Sequence, residues 1–531
     1  QSPVPVAGYA PVYDRFTEDW PHSNTVATPD DRAVYGRLAN GLRYVVIPVP
    51  DVQGRLSIHM QVLAGFRDET PEQSGTAHLL EHMAFQGSSQ LAPNQITEEL
   101  RARGLDFGVD ANAFTMENYT VYKFDFPEAT TENLDRGLFF LSEIAQNLTL
   151  DPVFLETERK IVGEELRLRD TPDEDAKRAR RYFTSPQDVH WSVDTAAALE
   201  RLELISADDL RSYYEEYYRP DNSLLVIAGE VDADSAARIM SQHFSGWPRA
   251  AQIAAKDKAQ TKPGPMLPQK IYYKAGAYDQ FALIETRPSL ESGPGRVFTR
   301  DIFKQALAMN MFTARLNRIA EDEKSIYWYY PDYTRRETGD IAEVTISSYK
   351  NDRAVVKFDQ ERRRIIESGF SQSEIDQAMA ERTNALQSLV GDGRKINSLV
   401  VAHRFAQKYA EGRIYRNPQQ SVAETDAWAK TFTPEDYRAA FADMWDDFKP
   451  RYWARGETLK QPDLDDIKKS LESSRKRKLR DVSDQTIKSF KLKGLVKPGT
   501  VTARDTLPGT DITRLTFSNG AKVNLRSMHS E

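Results

Sequence analysis

The sequence predicts an α+β chain built from two copies of one α/β domain. At 531 residues the chain is too long for a single hydrophobic core. Stretches with strand-like alternation and stretches with helical spacing of apolar residues succeed one another along it. A pattern also recurs at an offset of 227 positions without gaps. Ser206-Ala-Asp-Asp209 opens a helix through Tyr217, and a strand over Leu224 to Ala228 ends at Gly229-Glu230. Thr433-Pro-Glu-Asp436 likewise opens a helix, and a short strand ends at Gly456-Glu457. Asp209/Asp436, Arg211/Arg438, Gly229/Gly456 and Glu230/Glu457 coincide, and Tyr214 matches Phe441.

Composition narrows the function classes. With 40% hydrophobic and 28% charged residues, the chain has an ordinary globular makeup. A formal net charge of −8 argues against nucleic acid as a partner. No apolar run approaches the roughly 18 residues needed to span a bilayer. The absence of cysteine excludes disulfides and thiolate metal sites, and it fits an oxidising compartment. The first residue is Gln1, and the stretch to Tyr13 is Pro-rich and irregular. That start reads as a mature end left after signal-peptide removal, so a periplasmic or otherwise exported location is expected.

Leu42 to Pro48 and Arg55 to Leu63 read as strands, with Asn40-Gly41 as a tight turn before the first. Gly75 to Phe85 reads as a helix, with Ser74 as N-cap and Gly87 as stop. On it His78 and His82 are four apart, so both imidazoles leave one face, as two nitrogen ligands of one tetrahedral metal require. Glu81 is rotated by about 60° from His78 at 3.6 residues per turn. It flanks the metal position, which suits a general base acting on a metal-bound water. A helix from about Asn94 to Arg103, stopped by Gly104, follows; Asp110–Thr115 and Tyr119–Phe126 then read as a strand pair.

The next helix begins near Pro152, with Asp151 as N-cap. At 100° per residue, Phe154, Leu155, Ile161, Val162, Leu166 and Leu168 share a stripe, while Glu156, Arg159, Lys160, Gly163 and Arg167 lie opposite. Glu158 and Glu165 fall within the stripe and Glu164 borders it. An unpaired buried carboxylate costs several kcal/mol, so the two need a partner, either a metal or a buried arginine. Periodicity selects Glu158 and Glu165 over Glu164 but does not say which of the two touches a metal.

His78-Leu79-Leu80-Glu81-His82 reverses the His-Glu-x-x-His zinc helix and is the inverzincin pattern. Through Gly75–Phe85, Asp110–Thr115 and Glu158–Glu165, the sequence resembles the pitrilysin/insulysin family of zinc metallopeptidases. In that family the third ligand is a Glu seven residues after a helical Glu-Arg pair. Glu158-Arg159 leads in this way to Glu165, which implies Glu165 as ligand and Glu158 as the residue that orients a ligand. The resemblance implies one Zn2+ in the first domain, with Glu81 activating its bound water for peptide-bond hydrolysis. It implies that Asn112, Ala113 and Phe114 belong to an edge strand that docks an extended substrate, a stretch that would otherwise pass as a core strand. Phe85 and Phe114 would line an apolar pocket beside the scissile bond, although both residues also suit ordinary core packing.

The family fold implies mixed, largely antiparallel sheets flanked by helices, two such sandwiches forming half of a clamshell chamber. The expected blocks are an irregular segment at 1–30, a catalytic domain at 31–262 and a homologous non-catalytic domain at 263–457. A basic helical or irregular linker at 458–510 and the first strand of a third domain at 511–531 complete the chain. The last block rests on Phe517-Ser518-Asn519-Gly520-Ala521, which mirrors Leu38-Ala39-Asn40-Gly41-Leu42. The implied activity is an endopeptidase acting on peptides or unfolded polypeptide, with a C-terminal half or second subunit closing the chamber. The alternatives are a catalytically silent binding or scaffold subunit and a metal-dependent hydrolase of non-peptide substrates.

Overall fold

The structure, a computed structural model, describes residues 20–23, 28–50, 54–184, 194–248, 270–273, 279–287, 300–335, 340–388, 397–456, 461–479, 499–508 and 512–526. The expected irregular opening therefore lies almost wholly outside the described residues. The chain divides into two compact units, Gln1–Arg477 and Lys478–Glu531.

The first copy contains β1 (Val34–Arg37), β2 (Arg43–Pro48), β3 (Leu56–Val62), α1 (Thr76–Met83), α2 (Gln95–Ala102), β4 (Ala111–Thr115) and β5 (Thr120–Phe126). It continues with α3 (Thr131–Gln146), α4 (Pro152–Leu168), α5 (Pro172–Thr184), α6 (Thr195–Leu204), α7 (Ala207–Tyr217), β6 (Ser223–Gly229) and α8 (Ala233–Phe244). Its sheet has the order β1-β2-β6-β3-β5-β4. Only β2 and β6 pair in parallel; the other neighbours are antiparallel.

The second copy contains β7 (Lys270–Tyr273), β8 (Gln280–Arg287), α9 (Arg300–Asp322), β9 (Ile326–Thr334), β10 (Asp340–Ser348) and α10 (Asn351–Ser368). After these come α11 (Gln372–Ser388), α12 (Ser398–Ala410), α13 (Pro418–Ala429), α14 (Pro434–Trp445), β11 (Arg451–Gly456) and α15 (Gln461–Arg475). Its sheet order, β7-β11-β8-β10-β9, repeats that of β2-β6-β3-β5-β4, again with one parallel pair, β7 with β11. The α+β architecture of mixed, largely antiparallel sheets flanked by helices is thus present twice.

The repeat read from the sequence corresponds to these elements. Ser206 and Thr433 both cap their helices in capping boxes with Asp209 and Asp436. Gly229 and Gly456 end their strands at φ 151° and 150°. A Cβ there would lie 2.7 Å from the Arg55 carbonyl oxygen in one copy and 2.7 Å from Asp279 Cα in the other. Each copy therefore needs glycine at that point, for the same reason.

Alternation along β3 and β6 sends Leu56, Ile58, Met60, Val62, Leu225 and Ile227 into the main core of the first copy. The other face carries Val45, Ile47, Leu224 and Val226, and it is covered by α12 of the second copy through Val401, Ala402, Phe405, Ala406 and Tyr409. The second sheet mirrors this. Its Ala282, Ile284, Ile341 and Trp453 are covered by Ala176 and Phe183 of α5, from the first copy. At the 227-residue offset α5 and α12 are counterparts, so the two copies exchange an equivalent helix. Each phenylalanine so buried contributes on the order of 1.5–3 kcal/mol. Blocks 31–262 and 263–457 are therefore not separate packing units.

Other expectations need correction. Strands β1 and β9 were not anticipated: β1 is only four residues long, and β9 carries Pro331. In the expected linker at 458–510, Leu464, Ile467 and Leu471 of α15 are buried in the second core, so that helix belongs to the second copy. The Lys478–Glu531 unit holds β12 (Val501–Thr506), β13 (Ile512–Phe517) and β14 (Lys522–Arg526) in one antiparallel sheet, where a single strand was expected. Its β13–β14 turn reproduces the β1–β2 turn. Asn519 Oδ1 accepts from Ala521 N at 3.1 Å, and Asn40 Oδ1 accepts from Leu42 N at 3.2 Å.

Candidate metal centre

Helix α1 starts at Thr76 behind Gly75, and Ser74 does not cap it. The orphan amides at its N-terminus are met from outside, by the buried carboxylate of Glu69. Glu69 Oε2 accepts from Gly75 N at 2.9 Å and Oε1 from Ala77 N at 2.7 Å. The helix ends at Met83, four residues before Gly87, and Phe85 already stands in a turn.

His78 and His82 project together, their ring centroids 5.0 Å apart. Opposite them stands Glu165 on α4. Its Oε2 lies 3.7 Å from His78 Nε2, and its Oε1 lies 3.6 Å from His82 Nε2. One ligand atom from each of the three falls within 4.8 Å of the others, and among the described residues this is the one such His/Asp/Glu group.

Glu158 meets the other side of His82, with Nδ1 and Oε2 3.2 Å apart. Gln86 Nε2 donates to Glu158 Oε1 at 2.7 Å. A proton held on Nδ1 by this carboxylate leaves the Nε2 lone pair facing Glu165. Glu164 points away, with its side chain 68% exposed and paired to Arg167.

The apolar stripe expected on α4 is only partly present. Leu155 and Val162 are buried, but Ile161 and Leu168 are 43% and 79% exposed. Gly163 is buried, and Arg159 donates to the carbonyls of Leu202 and Ile205. The helix is wedged between α1 on one side and α6 on the other, so its covered surface is wider and rotated from a single stripe.

Glu81 is 7% exposed, and Thr115 Oγ1 on β4 donates to its Oε2 at 2.7 Å. Burial lifts the Glu81 carboxyl above its ordinary range, with Thr115 and His82 opposing the rise. Burial pushes His78 down to about 3, assisted by His82 and Arg169. Burial also disfavours charge on His82, but the bond to Glu158 and the carboxylates of Glu81 and Glu165 outweigh it and raise its pKa. His78 is thus held neutral, whereas a cation reaching His82 has to displace a proton that the surrounding carboxylates favour.

Asn112, Ala113 and Phe114 lie on β4 at the sheet edge, paired on one side with β5. Ala113 N donates to Asn112 Oδ1 at 2.9 Å. Phe85 and Phe114 do not share a pocket. Strand alternation places Phe114 on the opposite face from Thr115, against Tyr119 and His403. Phe85 packs with Phe107 and Tyr122 in the main core.

Sequence reasoning passed over Thr115, Gln86 and Glu69. Alternation could have found Thr115, which shares a strand face with Ala113. Gln86 stands four residues after His82, on the same line of the helix continued. Nothing in spacing points to Glu69, whose role depends on the fold of residues 69–75.

The chemistry of the donors fits zinc. Ligands about 2.0–2.2 Å from a tetrahedral ion stand about 3.3–3.6 Å apart, close to the 3.7 and 3.6 Å that separate Glu165 from the two histidines. Two histidines one helical turn apart, a carboxylate from a second helix and a buried glutamate beside them define a class of protein, a two-copy α/β sandwich with a candidate metal centre in its first copy.

Comparison with known proteins agrees. Residues 45–185 match the model of the insulinase family (peptidase family M16), and residues 204–382 match the peptidase M16 inactive domain. The chain belongs to peptidase family M16, the insulinase family. It is 23% identical over 525 residues to the probable zinc protease PqqL of Escherichia coli, covering 94% of this chain and 55% of that protein. The crystal structure of the periplasmic protease PqqL from E. coli superposes with a TM-score of 0.75 at 20% identity, over 95% of this chain and 57% of that one. The structure of the first half of that protease gives 0.73 at 19% identity, over 86% and 99%. The chain thus spans about half the length of these full-length relatives. No helix among the described residues is long and apolar enough to cross a membrane.

Proposed function

We propose that this chain is the catalytic part of a zinc-dependent endopeptidase acting on peptides or unfolded polypeptide segments. The observation that carries the proposal is the convergence of His78 Nε2, His82 Nε2 and the Glu165 carboxylate beside a buried Glu81. Those three residues would hold the ion, with Glu158 fixing the tautomer of His82. Zinc bound there would act as a Lewis acid, lowering the pKa of a water and polarising the scissile carbonyl.

Glu81 takes the proton from the attacking water and passes it to the leaving amine, and its raised pKa suits both transfers. Thr115 aims that carboxylate with its hydroxyl. Because Thr115 sits on the edge strand, a peptide added alongside β4 would lie next to the base. Such pairing reads backbone rather than side chains, so cleavage should tolerate varied sequences.

A chamber closed by a further half or a second subunit, and a periplasmic or exported location, are part of this proposal. Both are supported by the resemblance to the E. coli protease. A silent scaffold role has no observation in its favour, since base and ligand set are all present. The test combines metal analysis with mass-spectrometric mapping of cuts in a peptide mixture. One zinc per chain and cuts abolished by chelation are expected; a zinc-loaded protein that leaves every peptide intact, alone and with its complementary half, would overturn the proposal.

A further inference from the structure

The exchange of α5 and α12 has a chemical consequence in only one of the two copies, because α5 follows directly on the helix that carries Glu165. The buried residues of α4 are Leu155, Glu158, Val162 and Gly163, all before the turn that bears Glu165. Beyond them Glu164, Arg167 and Leu168 are exposed, and Glu165 itself is 34% exposed. In its own copy this last stretch is held by Leu166, partly buried against the main core, and by the Arg169–Glu165 pair at 3.1 Å, yet a metal-binding carboxylate must be held to within about 0.5 Å.

Three residues, Arg169 to Thr171, separate α4 from α5. Asp170 spans the junction, accepting from Arg178 Nη2 at 3.1 Å and from Thr195 Oγ1 at 2.9 Å. Helix α5 is then fastened to the second copy. Phe183 is buried among Ala282, Ile284, Ile341 and Trp453. Arg180 pairs with Glu343 at 3.0 Å and donates to Thr345 Oγ1 at 2.8 Å. Arg451 donates to the Phe183 carbonyl at 3.0 Å, its guanidinium 4.4 Å from the ring centroid.

We infer that the second copy positions the third metal ligand: Phe183 and Arg180, docked on its sheet, set the end of α4 and with it the Glu165 carboxylate. The inference rests on the metal-centre reading above. It gives the copy without the motif a function beyond enclosing substrate.

The exchanged counterpart supplies the control. Phe405 of α12 is buried in the same manner on the first sheet, but α12 follows α11, which carries none of the proposed ligands. Zinc affinity is measured by competition with a chromophoric chelator, and the visible spectrum of the Co2+-loaded protein reports the ligand set. Phe183→Ala and Arg180→Ala should each weaken zinc by about 10–100-fold, the size typical of residues that orient ligands. Both should shift the Co2+ spectrum toward that of Glu165→Gln, and Phe183→Leu should restore most of the loss. Phe405→Ala should leave affinity within about threefold.

In a Glu165→Gln background, Phe183→Ala should have no further effect, because its only route to the metal is gone. Equal zinc loss from Phe405→Ala, or undiminished loss from Phe183→Ala in the Glu165→Gln background, would overturn the inference. Should Phe183→Ala fail to fold, Arg180→Ala and Glu343→Gln carry the same comparison from the half-buried rim of the contact. A wild-type protein that binds no zinc would instead defeat the metal-centre reading.

Discussion

The two copies share the order of five strands, capping boxes and a strand-ending glycine, yet they differ at the helix that carries the histidine pair. Where α1 presents His78, Glu81 and His82, the 227-residue offset places Gln305, Ala308 and Met309 on α9. Met309 receives Trp445 Nε1 at 3.1 Å from Sδ, and Gln305 contacts Arg335. Ile375 and Ala378 of α11 pack into the second core, and the 227-residue offset places an exposed residue, Ala385, where α4 carries Glu158. Among its described residues the second copy has no histidine or acid at the offsets of His78, Glu81 and His82, and α9 runs on for 23 residues where α1 stops after eight. Both copies bury charge, but in the second Asp359 is met by Arg362, whereas in the first Glu158 is met by a histidine, His82.

The contrast breaks most completely at Glu81. Glu81→Gln should keep its zinc yet lose turnover by about 10³-fold or more, within the range general bases supply. Peptide cleavage assayed beside metal content checks this. Zinc loss as severe as in His82→Ala would make Glu81 a ligand.

The next effect concerns α4. Glu165→Gln should lower zinc affinity sharply, Glu158→Gln by about 10–100-fold, and Glu164→Gln hardly at all, as read by chelator competition. Equal losses at Glu164 and Glu165 would mean that α4 presents another face in solution.

Much of this was legible in the sequence. His-x-x-Glu-His fixes its own geometry, because a helix brings positions four apart together. The Glu158/Glu165 pair stood out as charge among apolar neighbours, and capping residues marked α4, α7 and α14. The misreadings have a common cause, since each depended on a partner distant in the chain. Ile161 and Leu168 suit a helix buried on one face, whereas α4 lies between two helices. Phe114 needed its strand's neighbours to assign a face, and Glu69 replaced Ser74 because the preceding loop folds back. The helix exchange left no local mark at all, since nothing in the sequence of α5 or α12 tells which copy's sheet it covers.

A smaller effect separates the two histidines. With His78 pushed down to about 3 and His82 raised above its usual 6.5, only His82 has a proton to lose on binding metal near neutrality. Zinc affinity should therefore begin to fall while the pH is still above 6.5 and drop about tenfold per pH unit below the His82 pKa. Titration between pH 7.5 and 5.5 tests it, and a hundredfold slope per unit, meaning two protons displaced, would contradict a neutral His78.

The smallest effect belongs to the second copy. Burial disfavours the Glu374 carboxylate, but Arg315 and Ser371 outweigh it and hold its pKa at about 2. A depressed carboxyl stabilises the fold above its unfolded pKa and loses that contribution as pH falls through the folded one. Glu374 should thus stabilise fully above pH 4.5 and lose its contribution between 4.5 and about 2. Glu374→Gln should cost roughly 1.5–3 kcal/mol at neutral pH, as for a hydrogen bond to a charged group, and leave zinc affinity unchanged. Denaturant melts at pH 7 and pH 3 measure it, and a loss of zinc in this variant would show that acid stability and metal binding are not separable between the copies.

The central claim is that one copy alone holds a metal, through His78, His82 and Glu165. Diffraction from zinc-loaded crystals on both sides of the zinc absorption edge tests it most directly. One anomalous peak per chain is expected, about 2 Å from both Nε2 atoms and from a Glu165 oxygen. A peak coordinated by Glu158 or Glu164 in place of Glu165, a second peak at Gln305 and Met309, or no peak between α1 and α4 would contradict it.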